Sequence, residues 1–341
     1  MINFISYCKK RISTQSNYME LDKIRAIAIP HLQEYEKIYR NSLKSNVPLL
    51  DRVTGYILRH KGKQIRPLFV FFTAGLCGGI TPKTYRAAAM IELLHNATLV
   101  HDDVIDDSNE RRGFFSLNAI WKNKISVLVG DYLLSRGLLL AVDNDDFDIL
   151  KIVTRSVKQM SEGELLQMEK ARTLDISEDI YFEIITKKTA SLISSCFECG
   201  AASAVTDQAT QEKFRLMGQY TGIAFQIKDD LLDFSTSRAK GKPTGSDLKE
   251  KKITLPLIHL LENSSFFERR KLINIVKNRN HDLTKVAYLI DRVNQCGGIE
   301  YSRAKMDENL FKAYEILDSL PDSEWKEPLR NLIRFTIERE K

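Results

Sequence analysis

The stretch TYRAAAMIELLHNATLVHDDVIDD, residues 84–107, decides the fold. Ala87, Met90, Leu94, Ala97 and Val104 recur at multiples of the helical repeat and so share one face of an α-helix. Thr81-Pro82 ahead of them reads as a cap and first turn, and Gly113 is expected to end the helix. The same period continues outward. Residues 21–39, 50–60 and the run from Pro67 to the glycines at 75, 78 and 79 read as helices upstream. Downstream, helical patterns cover about 116–142, 146–169, 177–204, 208–234, 253–262, 265–278, 282–295, 299–319 and 323–338. Between Pro82 and Pro243 lie 160 residues without a proline. Proline interrupts helix interiors, and all-β chains need frequent turn residues. The expected fold is therefore all-α, a single-domain bundle of long helices around a deep central cavity. Residues 1–20 have weak periodicity and read as an N-terminal extension to a domain spanning 21–341.

With 43% hydrophobic and 28% charged residues, the chain is neither disordered, collagenous nor a disulfide scaffold. Its net charge of +6 comes from interleaved cations and anions, too mild and scattered a balance to point to nucleic acid. The most apolar stretch, Ile125 to Val142, contains Asp131 and Arg136, so no segment is expected to span a membrane. Five cysteines without framework spacing fit a reducing compartment, and a cytoplasmic location is expected. Cys196 and Cys199 form a CxxC with no second pair, and on an apolar helix they read as small core residues.

Two acidic clusters repeat one pattern: Asp102-Asp103-Val104-Ile105-Asp106 and Asp229-Asp230-Leu231-Leu232-Asp233. In each, the first and last aspartates are four apart and stack one helical turn from each other. Like charges at that spacing repel, and apolar helices gain nothing in packing from them. The repetition points to a cation held between the clusters. Carboxylates without His or Cys suit a hard ion such as Mg2+, which is commonly shared with substrate phosphates. Lys63 and Arg66 precede a helix start, His95 lies two turns before Asp102, and Arg111 and Arg112 follow the first cluster. Together they could hold a second anion, since arginine grips oxyanions bidentately and lysine adds a point charge. The segment STSRAKGKPTGSDLKEKK, residues 235–252, reads as a loop and candidate lid.

Here a family resemblance is carried by several motifs in order. ELLHNATLVHDDVIDDSNERRG (92–113) and GIAFQIKDDLLDF (222–234) are similar to the two aspartate-rich regions of the trans-isoprenyl diphosphate synthases, and KGKQIRP (61–67) to their basic motif. GDYLLSRG (130–137), GELLQ (163–167), KKTASLI (187–193) and GKPTGSDLKEKKITLP (241–256) also fall in the family's order. The family often has Gly-Gly-Lys where this chain has Lys61-Gly62-Lys63, which removes no charge. The resemblance implies a medium- or long-chain member acting as a homodimer on an allylic diphosphate and successive isopentenyl diphosphates.

It further implies that Asp102, Asp103, Asp106, Asp229 and Asp233 hold Mg2+, three ions per site in the family's pattern. Arg111, Lys188 and Lys242 would touch the allylic diphosphate, with Gln167 nearby. Lys63, Arg66, His95 and Arg112 would hold isopentenyl diphosphate. Thr189 and Gln226 would flank the reacting carbons, steadying an allylic cation that water must not reach. In short-chain members bulky aromatics near Ala97 and Thr98 stop the growing chain. Both are small here, so a product of six to eight isoprene units for quinone side chains is expected, with peripheral membrane contact for its release. A short-chain product, a class I terpene cyclase, a non-catalytic partner subunit and an HD-type phosphohydrolase are the alternatives. The cyclase would not need the basic group at Lys63, the partner subunit would lose one acidic cluster, and the hydrolase would need further His ligands beside His101-Asp102.

Overall fold

Thr81 and Thr84 cap each other reciprocally: the Thr84 amide donates to Thr81 Oγ1 at 3.4 Å and the Thr81 amide to Thr84 Oγ1 at 3.0 Å. Such a box satisfies two of the orphaned donors at a helix start. From it runs the central helix of a computed structural model that describes residues 21–60, 62–111, 113–174, 176–234, 248 and 250–338. The N-terminal extension, Lys61, Arg112 and most of the 235–252 segment, with Lys242, lie outside the described residues.

After a short 3-10 turn at Ala26–Ala28, the elements are α1 (Ile29–Ser42), α2 (Pro48–Arg59), α3 (Ile65–Leu76) and the central α4 (Pro82–Ile105). A hairpin of β1 (Glu110–Arg111) and β2 (Phe114–Phe115) leads into α5 (Leu117–Val142), α6 (Phe147–Thr173) and α7 (Glu178–Ile185). A π turn, Thr186–Ala190, joins α7 to α8 (Ser191–Ala202), and α9 (Gln208–Asp233) follows. The remainder is α10 (Leu255–Glu262), α11 (Phe266–Asn278), α12 (Leu283–Gln295), α13 (Gly298–Asp318) and α14 (Lys326–Glu338). The fold is all-α, with its strands, among the described residues, confined to that hairpin.

Helix α4 runs through the middle of the bundle, along α5 and against α1, α3 and α8. From Ala87 to His95 every one of its residues is buried. The sequence shows one apolar face; the packing covers the whole circumference. The large side chains around it include Phe69, Phe71, Phe72 and Phe197. A second apolar cluster joins α9 to α10 through α13, with Leu257, Leu272 and Val293 fully covered.

One expectation needs correction here. Helix α4 stops at Ile105, not Gly113: Asp107 takes φ +47°, and the chain folds into the hairpin with Glu110 opposite Phe115. Aspartates are unfavourable at a helix C-terminus, where the dipole is negative, and the turn offers alternatives. The Ser116 amide donates to Asn109 O at 2.9 Å and its hydroxyl to Ser108 O at 2.5 Å. Gly113 sits instead at the hairpin tip with φ +80°, a conformation glycine adopts without strain.

Among the described residues α5 is the one helix long and apolar enough, by length and composition only, to cross a bilayer. Three of its polar residues have partners in the bundle. Arg136 Nε donates to Ser42 O at 2.7 Å, Tyr132 donates to Lys44 O at 2.9 Å, and Asp131 lies 3.4 Å from His101 Nε2.

Candidate active site

A cavity of about 1270 Å³ opens beside α4. Arg25, Lys63 and Arg66 border it from one part of the bundle, and Asp102 and Ile105 from the last turn of α4. Glu164, Lys188 and Thr189 border it from α6 and the π turn, with Leu192, Ile193 and Phe225 adding apolar wall from α8 and α9. Cations, carboxylates and hydrocarbon thus share one enclosure, the combination an amphiphilic anion needs.

Two glycines let neighbouring helices close on the π turn. A Cβ on Gly163 of α6 would come 2.7 Å from the Lys188 amide nitrogen, and one on Gly222 of α9 would come 2.5 Å from Ala190 Cα. Both distances are shorter than any side chain tolerates. The turn also receives the Ser191 hydroxyl, which donates to Lys187 O at 2.6 Å. A continuous helix over 177–204 is what the sequence shows; π turns of this kind recur at functional sites because they re-aim side chains.

Lys188 is ion-paired with Glu164 and donates to Gln167 Oε1 at 3.3 Å. Gln167 and Lys188 therefore come together as the motifs implied. Glu164 was not singled out by sequence, although GELLQ places it three residues from Gln167 on the same helix face.

Thr189 belongs to a chain of hydrogen bonds. Its hydroxyl donates to Gln226 Oε1 at 2.7 Å, Gln226 Nε2 donates to Asp230 Oδ1 at 2.8 Å, and the Tyr181 hydroxyl donates to Asp230 Oδ2 at 2.7 Å. Asp230 is buried. As a carboxylate it only accepts, so it holds the Gln226 amide group and leaves the Gln226 carbonyl for Thr189. The Thr189 proton is thereby committed to Gln226, and its lone pairs remain for whatever occupies the cavity. Asp230 stands in the second acidic cluster without a role of its own in the sequence, and Tyr181 lies on a different helix with no motif around it.

The aspartates divide by environment. Asp102 borders the cavity, Asp106 is exposed beyond the end of α4, and Asp103 is buried. Asp229 and Asp233 are half-buried on the last turn of α9. Neither helix has a basic residue in its last turn. Carboxylates stacked at the negative end of a helix dipole favour a bound cation. Among the described residues no three His, Cys, Asp or Glu side chains converge on a single point. An oxygen-only donor set of this kind fits Mg2+ held jointly by carboxylates and a substrate's phosphates.

At the basic end, Arg25 donates to the Lys63 carbonyl, and Lys63 Nζ lies 5.4 Å from the centre of the Phe335 ring. His95 is buried on the cavity wall. Arg66 Nε is buried without a hydrogen-bond partner, and so is Glu92 Oε2. A buried guanidinium nitrogen left unmatched costs about 1–3 kcal/mol, which an anion there would recover. Arg111 is placed on β1, away from a helical register with Asp106. Thr98 lines the cavity, whereas Ala97 is packed in the core. Cys196 and Cys199 are free, fully buried thiols, and burial pushes Cys196 up to about 12.

Residues 47–293 match the family model described as polyprenyl synthetase. The chain belongs to the polyprenyl synthetase family. The octaprenyl diphosphate synthase of Escherichia coli (strain K12) is 32% identical over 324 residues, 95% of this chain and all of that one. An all-trans-nonaprenyl-diphosphate synthase (geranyl-diphosphate specific) from Rhodobacter capsulatus is 36% identical over 94% of this chain and 99% of its own length. The crystal structure of a decaprenyl diphosphate synthase from Rhodobacter capsulatus superposes with a TM-score of 0.88, covering 94% of this chain and 100% of that one at 32% identity. The family's matched span holds both aspartate clusters and the π turn.

Proposed function

We propose that this polyprenyl synthetase joins an allylic diphosphate to successive isopentenyl diphosphates, head to tail, giving a medium- or long-chain all-trans polyprenyl diphosphate. The carrying observation is that one cavity is bordered by Arg66 with its unmatched buried Nε, by Asp102, and by Thr189 beside an apolar wall. Lys63, Arg66, His95 and Arg112 hold the isopentenyl diphosphate. Lys188, Gln167, Arg111 and Lys242 serve the allylic diphosphate. Asp102, Asp103, Asp106, Asp229 and Asp233 would hold Mg2+, which when bound neutralises charge on the leaving diphosphate.

As the allylic C–O bond breaks, negative charge develops on the diphosphate and positive charge on the allylic carbons. Lys188 stands preorganised for the anion. Thr189, its proton given to Gln226, presents lone pairs to the cation, while Leu192, Ile193 and Phe225 exclude water that would capture it. The isopentenyl double bond attacks the allylic carbon, a carbon–carbon bond forms, and the adjacent proton leaves to the released diphosphate. The lengthened product is again an allylic diphosphate. Quinone side chains are the fitting use for it. The apolar residues exposed on α5, Ile120, Val127, Leu128 and Leu139, supply a face for a second copy of the chain. Farnesyl diphosphate with labelled isopentenyl diphosphate and Mg2+ should give labelled products of more than four isoprene units by mass spectrometry. Cyclised hydrocarbons, or no incorporation, would overturn the reading.

A further inference from the structure

Phe266 and Phe267 project from the first turn of α11 with 73% and 83% of their surfaces exposed, their rings T-shaped with centroids 5.7 Å apart. They are not a frayed part of the core stripe, since α11 buries Leu272, Ile275 and Val276 on its other side and is capped by the Ser265 hydroxyl at the Glu268 amide. Leu283, the first residue of α12, is 68% exposed nearby in sequence. Two adjacent rings held in water on an ordered helix mark a surface that something else covers.

The charge around them is as uneven. Residues 266–281 carry five cations, Arg269, Arg270, Lys271, Lys277 and Arg279, against the single carboxylate of Glu268. That carboxylate is bound to Arg292 at 2.5 Å. The segment therefore carries a local net charge of +4. At the helical repeat, Phe266, Arg270 and Lys277 fall along one line of the outward face and Phe267 and Lys271 along the next. Arg270, Lys271 and Lys277 are all exposed, and this face of the helix bears no carboxylate. The flanking acids are Glu262 at the end of α10 and Asp282, whose carboxylate is occupied by the Thr284 and Lys285 amides as the cap of α12.

We propose that the outward face of α11 docks onto an anionic lipid bilayer. Aromatic rings entering the headgroup boundary with lysine and arginine around them is the chemistry of interfacial binding. The two rings stand at 79° to each other on a convex helix end, so they offer neither a flat platform for stacked bases nor a groove for a partner helix. The proposal goes beyond prenyl transfer and stands without it.

Co-sedimentation of the full chain with vesicles tests it. The protein should pellet with phosphatidylcholine vesicles containing phosphatidylglycerol, not with phosphatidylcholine alone, and high salt should release it as the screening length falls to about 3 Å. Arg270→Gln with Lys277→Gln should weaken binding about fivefold for each cation removed. Phe266→Ser with Phe267→Ser should weaken it roughly tenfold or more while keeping the salt dependence. Removing two cations elsewhere, Lys151→Gln with Lys158→Gln, should leave it unchanged. All three variants should keep wild-type turnover in vesicle-free buffer, which separates this test from the catalytic reading. Failure of the wild type to bind anionic vesicles overturns the proposal, as does binding that both α11 variants retain. It also falls if those variants abolish self-association or single-stranded nucleic acid binding and leave vesicle binding intact.

Discussion

Asp230 fixes which way Gln226 faces, by accepting the Gln226 amide at 2.8 Å from a position that Tyr181 braces at 2.7 Å. The consequence travels one bond further, to the Thr189 hydroxyl on the cavity wall. The second aspartate of this cluster therefore acts through an amide and a hydroxyl.

Asp230→Asn tests that chain. An asparagine can offer its own amide to Gln226, so Gln226 is free to turn and Thr189 is free to point its proton into the cavity. Turnover should fall about tenfold to a hundredfold, the loss of one hydrogen bond to a charged group. The KM for isopentenyl diphosphate should stay near wild type. Tyr181→Phe should show the same pattern more weakly. A rise in that KM with unchanged turnover would contradict the positioning role.

Gly163→Ala puts a methyl group 2.7 Å from the Lys188 amide nitrogen. Either α6 or the π turn must move, at a cost of about 1–3 kcal/mol. Melting temperature should drop, and the KM for the allylic diphosphate should rise as the Lys188–Gln167 pair is displaced. Glu164→Gln removes the ion pair while leaving the backbone alone, so it should alter that KM without the melting shift. Equal melting losses in both variants would place the effect in general packing.

Much of this was legible in the sequence because helical period, caps and motif order are local. Thr81-Pro82 marked the start of α4, and the spacing within each aspartate cluster marked its shared face. What local pattern could not carry was the end of α4 and the π turn. The first depends on Ser116 closing a loop onto Ser108 and Asn109, and the second on glycines in two other helices. Asp230 was visible as a member of its cluster, but its inward role required knowing where Tyr181 lands. The separation of Thr98 from Ala97 turned on helix rotation: α4 is surrounded, and neighbouring residues meet different things.

The proposed Mg2+ role of the aspartates on α4 and α9 predicts metal-dependent turnover. Chelation with EDTA should abolish turnover and Mg2+ should restore it. Asp102→Ala and Asp229→Ala should each lower turnover about a thousandfold. Circular dichroism should show the fold intact, since both positions are half-buried and not in the core. Wild-type turnover in either variant would remove that residue from the proposed set.

The two anion sites should separate in kinetics. Arg66→Ala removes the buried guanidinium that lacks a partner for its Nε, and should mainly raise the KM for isopentenyl diphosphate. Lys188→Ala should mainly raise the KM for the allylic substrate and also lower turnover, because its charge acts on the leaving group. Varying each substrate in turn distinguishes the two losses. Identical profiles would mean that the cations serve one shared anion.

Thr98 and Ala97 make opposite predictions although they are adjacent. Thr98 lines the cavity one turn before Asp102, about 6 Å deeper along α4. Its hydroxyl is already spent on His95 O at 3.0 Å, so the position presents little bulk to a growing chain. Thr98→Phe should fill the tunnel there and shorten the product to about three or four isoprene units, with turnover on the first condensation preserved. Ala97 is 2% exposed in the core. Ala97→Phe has no cavity to enter and should cost about 1–3 kcal/mol or more in stability. Its product length should change less than that of Thr98→Phe. Mass spectrometry of dephosphorylated products, read beside thermal melts, decides both. A Thr98→Phe enzyme that still makes the wild-type length would put the floor of the tunnel on another helix, with Ile193 and Phe225 the next residues to enlarge.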